Sequence, residues 1–138
     1  MLRLQSSHPR KTALNMRQRQ ILVVDDEPGV RQTIAMLLRL DGHVVVVAAS
    51  GEEALELFKP GKFDLVFTDY AMPRMTGAAL AAAIKSQDPA QPVIMLSAYP
   101  EQVASSGVLV TEIDLFIQKP FEPDTLRAAI TKFAPVKA

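Results

Sequence analysis

The 138 residues suit one domain of ordinary size, and an apolar content of 49% supports a sizeable core without leaving room for a second folded unit. The absence of cysteine excludes disulfide frameworks and thiolate metal sites, and unbroken apolar stretches such as Val44 to Ala49 fall far short of the roughly 20 residues that span a bilayer. Formal charge is zero but unevenly laid out: residues 1–20 carry Arg3, Arg10, Lys11, Arg17 and Arg19 without an acid, leaving 10 bases against 15 acids in the rest. Leu2, Leu4 and Leu14 are too sparse for an amphipathic face, and Ser6, Ser7, His8 and Pro9 read as loop. Residues 1–20 are therefore expected to form a basic, disordered extension ahead of a folded unit spanning 21–135. No secretory signal core is present at the N-terminus, so a soluble cytoplasmic protein is expected.

From Ile21 the pattern alternates strand and helix. Ile21 to Val24 is a continuous branched apolar run, as expected of a strand covered by helices on both sheet faces. A helix follows from Pro28, with Val30, Ile34, Leu37 and Leu38 recurring on one face and Asp41 and Gly42 supplying the stop. Val44 to Val47 is the second strand. Ser50 and Glu53 then predict a capping box for a helix burying Ala54, Leu55, Leu57 and Phe58, ended by Pro60 and Gly61. The third strand is Leu65 to Thr68; after a loop through Pro73 a helix is predicted from near Thr76, burying Ala79, Leu80, Ala83 and Ile84 before Asp88 and Pro89. Val93 to Leu96 is the fourth strand. Pro100 to Val110 is predicted helical on weak grounds, because Ser105, Ser106 and Gly107 are poor helix formers and the valines around Leu109 favour strand. Leu115 to Gln118 is the fifth strand, and a last helix starts near Pro123 with Leu126, Ala129, Ile130 and Phe133 inward. Such alternation implies an α/β fold with a parallel, doubly wound sheet.

Four of these strands run into chemistry. The first leads to Asp25 and Asp26, the third to Asp69, the fourth to Ser97 and the fifth to Lys119. In open parallel sheets ligands bind beyond the carboxyl ends of the strands, where the strand order reverses, so all five residues are placed at the ligand-binding edge. Each has an ordinary reading in isolation. Asp25, Asp26 and Glu27 before a proline make a solvated helix start, Asp69 a turn residue, and Lys119 a surface lysine leaving a strand. Together they are hard to explain that way, since crowded carboxylates repel unless a cation sits among them. Three carboxylates, a hydroxyl and an ammonium at one edge point to a magnesium and phosphate site.

With Met72, Pro73, Met75 and Gly77 after Asp69, Ala98 after Ser97, and Pro120 and Phe121 after Lys119, the chain resembles the receiver domain of bacterial two-component response regulators over about residues 21 to 134. The resemblance implies a flavodoxin-like five-stranded sheet of order 2-1-3-4-5. It further implies that Asp69 takes a phosphoryl group from a sensor histidine kinase or histidine phosphotransfer protein. Magnesium would be held directly by Asp26 and Asp69, through water by Asp25, and by the backbone carbonyl of Ala71. Lys119 and Ser97 would bind phosphoryl oxygens, and the bond between Lys119 and Pro120 is expected to be cis. Ser97 and Phe116 would act as the switch, altering the surface made by the Pro100–Val110 segment, the fifth strand and the last helix. That surface is expected to meet a downstream protein target or to form a phosphorylation-linked dimer.

Departures from the family pattern are also legible. Glu112 and Ile113 replace the usual glycine and alanine before the fifth strand, while Ala71 and Tyr99 occupy two positions that influence water access to the acyl phosphate. The chain ends just after the last helix, so direct DNA binding is not expected, and it reads either as a single-domain regulator or as a receiver from a longer protein. Two competing functions stand beside the phosphoacceptor. One is a pseudo-receiver interaction module, whose usual sign, a missing acid or lysine, is absent. The other is a phospho-aspartate phosphatase of the haloacid dehalogenase type, which would place two aspartates one residue apart after its first strand and carry a cap segment.

Overall fold

A computed structural model describes residues 18–99, 101 and 112–135. Their core is a five-stranded parallel sheet: β1 (Gln20–Val24), β2 (Val44–Ala48), β3 (Leu65–Asp69), β4 (Val93–Ser97) and β5 (Leu115–Gln118), in the order β2-β1-β3-β4-β5. The order reverses between β1 and β3, whose pairing of Val24 with Thr68 brings their carboxyl ends side by side. Four helices are described, α1 (Pro28–Leu40), α2 (Gly51–Leu57), α3 (Gly77–Gln87) and α4 (Pro123–Phe133). The helix expected at Pro100 to Val110 falls, apart from Glu101, outside the described residues.

Alternation along each strand divides the core in two. Ile21, Val23, Phe67 and Leu96 face α1 and α4, packing with Ile34, Leu38, Leu126 and Ile130. Leu22, Val24 and Val66 face α2 and α3, packing with Ala54, Phe58, Leu80 and Ile84. Because both faces are covered, β3 and β4 are buried along their whole length. This double burial explains why those strands read as unbroken apolar runs rather than alternating ones.

Several details differ from expectation. In α3 the inner stripe is Gly77, Leu80, Ala81 and Ile84, whereas Ala79 is exposed and Ala83 only half-buried. The unbroken run of small and apolar residues from Gly77 to Ile84 gives no unique helical face, and Gly77, which fits only against backbone, sets the rotation. Ala54 on α2 and Phe58, which caps its carboxyl end, are buried, but Leu55 and Leu57 are only partly so. Ser50 caps α2 by accepting from the Glu53 N–H at 3.0 Å, while the Glu53 carboxylate takes the N–H of Ala49 rather than that of Ser50. The first strand begins at Gln20, one residue earlier than predicted. Arg19, counted in the basic extension, is buried, with its guanidinium donating to the Ala134 carbonyl beyond α4 and its own N–H to His43 Nδ1 at 3.0 Å.

Candidate functional site

The carboxyl ends of β1, β3, β4 and β5 frame an open cleft of ≈ 520 Å³ lined by Asp26, Asp69, Ala71, Ser97, Tyr99 and Lys119 among others. Asp25 follows β1 directly. Its backbone N–H still bonds the Ala48 carbonyl of β2 at 3.2 Å, so the strand geometry carries into the acidic turn. Pro28, at the first position of α1, lacks the N–H an interior turn would need and starts the helix just beyond that turn. Asp69 and Ser97 are the last residues of β3 and β4. Lys119 follows β5, with its N–H on the Ser97 carbonyl at 2.8 Å, and its peptide bond to Pro120 is cis.

Lys119 ties the site together. Its ammonium donates to Asp69 Oδ1 at 2.9 Å and to Asp25 Oδ2 at 3.1 Å. Asp25 is 1% exposed, and its Oδ1 accepts the Glu27 N–H at 3.0 Å. Asp26 is exposed. One oxygen from each of Asp25, Asp26 and Asp69 lies within 4.8 Å of the other two. One ammonium among three carboxylates leaves two negative charges in excess. Burial pushes the Asp69 carboxyl above its ordinary pKa, the bond and charge of Lys119 offset this only in part, and Asp25 and Asp26 add repulsion. For Lys119, burial disfavours the ammonium, but the hydrogen bond to Asp69 and the charges of Asp25 and Asp69 outweigh it and raise its pKa. Burial thus leads the shift at Asp69, whereas the neighbouring carboxylates lead the shift at Lys119.

Ser97 Oγ accepts the Tyr99 N–H at 3.0 Å. A hydroxyl that accepts from the backbone keeps its own proton for donation toward the cleft. Tyr99 is 58% exposed beside it. Ala71 is exposed on the cleft wall, and Phe116 is half-buried in β5, paired with Met95 of β4. Of the two departures before β5, Ile113 packs against the α2–α3 side of the core, and Glu112 is half-buried.

Sequence reasoning missed two supporting residues. Arg31, one turn into α1, donates to the Asp25 carbonyl at 2.7 Å and holds the acidic turn against the helix. Its signal was its place one turn beyond Glu27, whose carbonyl accepts the Arg31 N–H at 3.0 Å. Arg74, in the loop between β3 and α3, takes a left-handed φ of 67° and reaches Glu52 of α2 at 3.1 Å, and no sequence pattern marked it.

Comparison with known proteins agrees with this geometry. The family profile described as "Response regulator receiver domain" matches residues 21–131. The probable transcriptional regulator ycf27 of Cyanidium caldarium is 35% identical over 116 residues, covering 84% of this chain and 46% of its own length. The transcriptional regulatory protein GlrR of Escherichia coli K12 is 38% identical over 113 residues, 80% of this chain and 25% of its own. The chain thus spans less than half of these curated relatives. Among solved structures, a response regulator receiver domain protein from Clostridium thermocellum superposes with a TM-score of 0.77 at 31% identity, covering 83% of this chain and 93% of that one. Response regulator TrrA of Thermotoga maritima, solved in complex with Mg(2+)-BeF, superposes with a TM-score of 0.74 at 32% identity, covering 83% and 98%. The sheet order, the acidic strand ends and the family profile agree, and the chain belongs to the response regulator receiver domains of two-component systems.

Proposed function

We propose that this receiver is a magnesium-dependent phosphoacceptor that takes a phosphoryl group on Asp69 from a phosphohistidine of a sensor histidine kinase or phosphotransfer protein. The observation that carries the reading is the bridge from Lys119 to both Asp25 and Asp69 inside a cluster of three carboxylates. An all-oxygen donor set suits a small hard cation. Asp26 and Asp69 would hold Mg2+ directly and the Ala71 carbonyl would complete the protein share. Asp25, both of whose oxygens already accept from Lys119 and Glu27, would act through water. Bound there, the cation supplies the positive charge that the cluster lacks and that incoming phosphoryl oxygens require.

In the transfer an Asp69 carboxylate oxygen forms a bond to phosphorus as the phosphorus–nitrogen bond of the donor breaks, and the released imidazole keeps that electron pair. Lys119 then moves its hydrogen bond from the carboxylate to a phosphoryl oxygen, and Ser97 donates its hydroxyl proton to another. Phosphorylation adds about 1.5 to 2 negative charges. Ser97 and its loop are drawn toward that charge and Phe116 turns into the space behind them, changing the face that a downstream protein, or a second copy, would meet. The expected site of action is the cytoplasm; among the described residues no helix is long and apolar enough to cross a membrane. Direct DNA binding by this domain is not part of the proposal.

The test is intact mass after incubation with acetyl phosphate and magnesium, beside Asp69→Ala and a chelator control. One added phosphoryl group that requires both Asp69 and magnesium is expected. No gain, under conditions that label a known receiver, would favour the interaction-module reading, and turnover of small phosphate esters would favour the phosphatase.

A further inference from the structure

On the face of the sheet covered by α1 and α4, an apolar groove of ≈ 780 Å³ runs between the two helices, lined by Val30, Leu37, Leu40, Phe121 and Leu126 among others. Two of the most exposed large apolar side chains among the described residues, Met36 at 59% and Leu40 at 77%, stand on its α1 wall. Water-exposed apolar side chains lining a groove mark a surface built to be covered.

The chain enters the fold at the foot of this groove. Gln18 Nε2 donates to the Gly42 carbonyl at 3.2 Å, two residues beyond Leu40, and Arg19 reaches the Ala134 carbonyl just past α4. Residues 1–17 therefore join between the carboxyl ends of the two helices that wall the groove. Seventeen residues reach up to about 55 Å when extended, whereas the 13 residues of α1 measure about 20 Å. The joining segment offers Leu2, Leu4, Leu14 and Met16 for apolar contact and carries Arg3, Arg10, Lys11 and Arg17 without an acid. At its upper end the groove is lined by Glu27, next to exposed Asp26. Position, reach, apolar content and charge all match one occupant.

We infer that the α1–α4 groove is the docking site of this chain's own residues 1–17, which would cover it intramolecularly. The groove also extends to Lys119 and Pro120 beside the acceptor, so an occupying segment competes there with any partner that approaches Asp69 along α1. The inference goes beyond the phosphoacceptor proposal and does not depend on it.

Because the chain has no cysteine, Ser7→Cys gives a single attachment point for a nitroxide spin label in the 138-residue chain. Amide signals of Val30, Met36, Leu40 and Phe121 are expected to lose most of their intensity, those of α2 and α3 to keep it, and the pattern to survive dilution with excess unlabelled protein. Adding Leu40→Glu, at an exposed position that leaves the core intact, should restore the lost signals. Even broadening over both faces, or none, would overturn the inference in favour of a solvated segment. Broadening that fades on mixing with unlabelled protein would overturn it in favour of a second copy, and persistence in the Leu40→Glu variant would overturn the groove as the site. Phosphorylation is not read in this experiment, so failure here leaves the acceptor chemistry standing.

Discussion

Replacing Gly77 by alanine tests how tightly the carboxyl end of β3, which carries Asp69, is held by the helix behind it. Gly77 opens α3, with its N–H on the Tyr70 carbonyl at 2.8 Å. A Cβ at this position would stand 3.0 Å from the Asp69 carbonyl carbon and 3.0 Å from Tyr70 Cα, and closer still to the Asp69 carbonyl oxygen. Carbon pairs rest at about 3.5–4.0 Å, so these two contacts alone require helix and strand end to separate by about 0.5–1 Å, and the carbonyl oxygen requires more. All the obstructing atoms are backbone, which cannot rotate aside as a side chain can. Overpacking of this kind costs about 1–3 kcal/mol, and a displacement near 1 Å at a reacting group lowers rate by as much as about 100-fold. Urea unfolding and the initial rate of labelling by acetyl phosphate would measure the two effects separately. Gly29→Ala is the control: nothing lies within 4 Å of its Cβ position, and it is expected to gain about 0.5–1 kcal/mol from helix propensity. Stability within about 0.5 kcal/mol of the parent together with an unchanged labelling rate for Gly77→Ala would refute the reasoning.

Lys119→Met removes the ammonium that, among the described residues, alone pairs with Asp25 and Asp69, so magnesium affinity measured by titration calorimetry should rise roughly tenfold while acetyl phosphate labelling slows; weaker magnesium binding would contradict the charge argument. His43 is shifted below its ordinary pKa by burial first and by the charge of Arg19 second, and its Nδ1 accepts the Arg19 N–H. The unfolded chain therefore binds the proton more readily. Stability should be fully present above pH 6.5 and fall as pH drops toward the lowered folded value, and His43→Gln should flatten this dependence in urea melts between about pH 7.5 and 5; an unchanged slope would oppose it. Ala71 has no side chain to guide water and Tyr99 stands at the mouth of the cleft, so the phosphorylated form should persist for minutes or longer in a decay followed by intact mass. A half-life of seconds would contradict this.

Much of the fold was legible because a covered parallel strand has a signature that little else imitates. Ile21 to Val24 and Val93 to Leu96 are branched apolar runs whose burial on both faces leaves no polar position to blur them. The rotation of α3 was not legible, because the alanines and other apolar residues that fill it up to Ile84 give no periodic contrast and the deciding contact, Gly77 against Asp69 and Tyr70, lies in backbone outside the helix. At the site, the carboxylates and Lys119 were marked by where their strands stop. Arg31 was not, since its place one turn beyond Glu27 does not reveal that it bonds the Asp25 carbonyl. Arg19 was counted as a solvated base because sequence shows its charge but not the Ala134 carbonyl that receives it.

The bond from Lys119 to Asp25 joins residues 94 apart in sequence, across four strands of the sheet. Contacts of such separation form late, since their loop-closure entropy is spent before they return any stabilisation. A chain still lacking β5 at the sheet edge carries the acidic residues but not the ammonium that holds two of them together. The bridge from Lys119 to Asp25 and Asp69 thus closes only with the last strand, and under the phosphoacceptor proposal an incomplete molecule would lack the ammonium that the transfer needs.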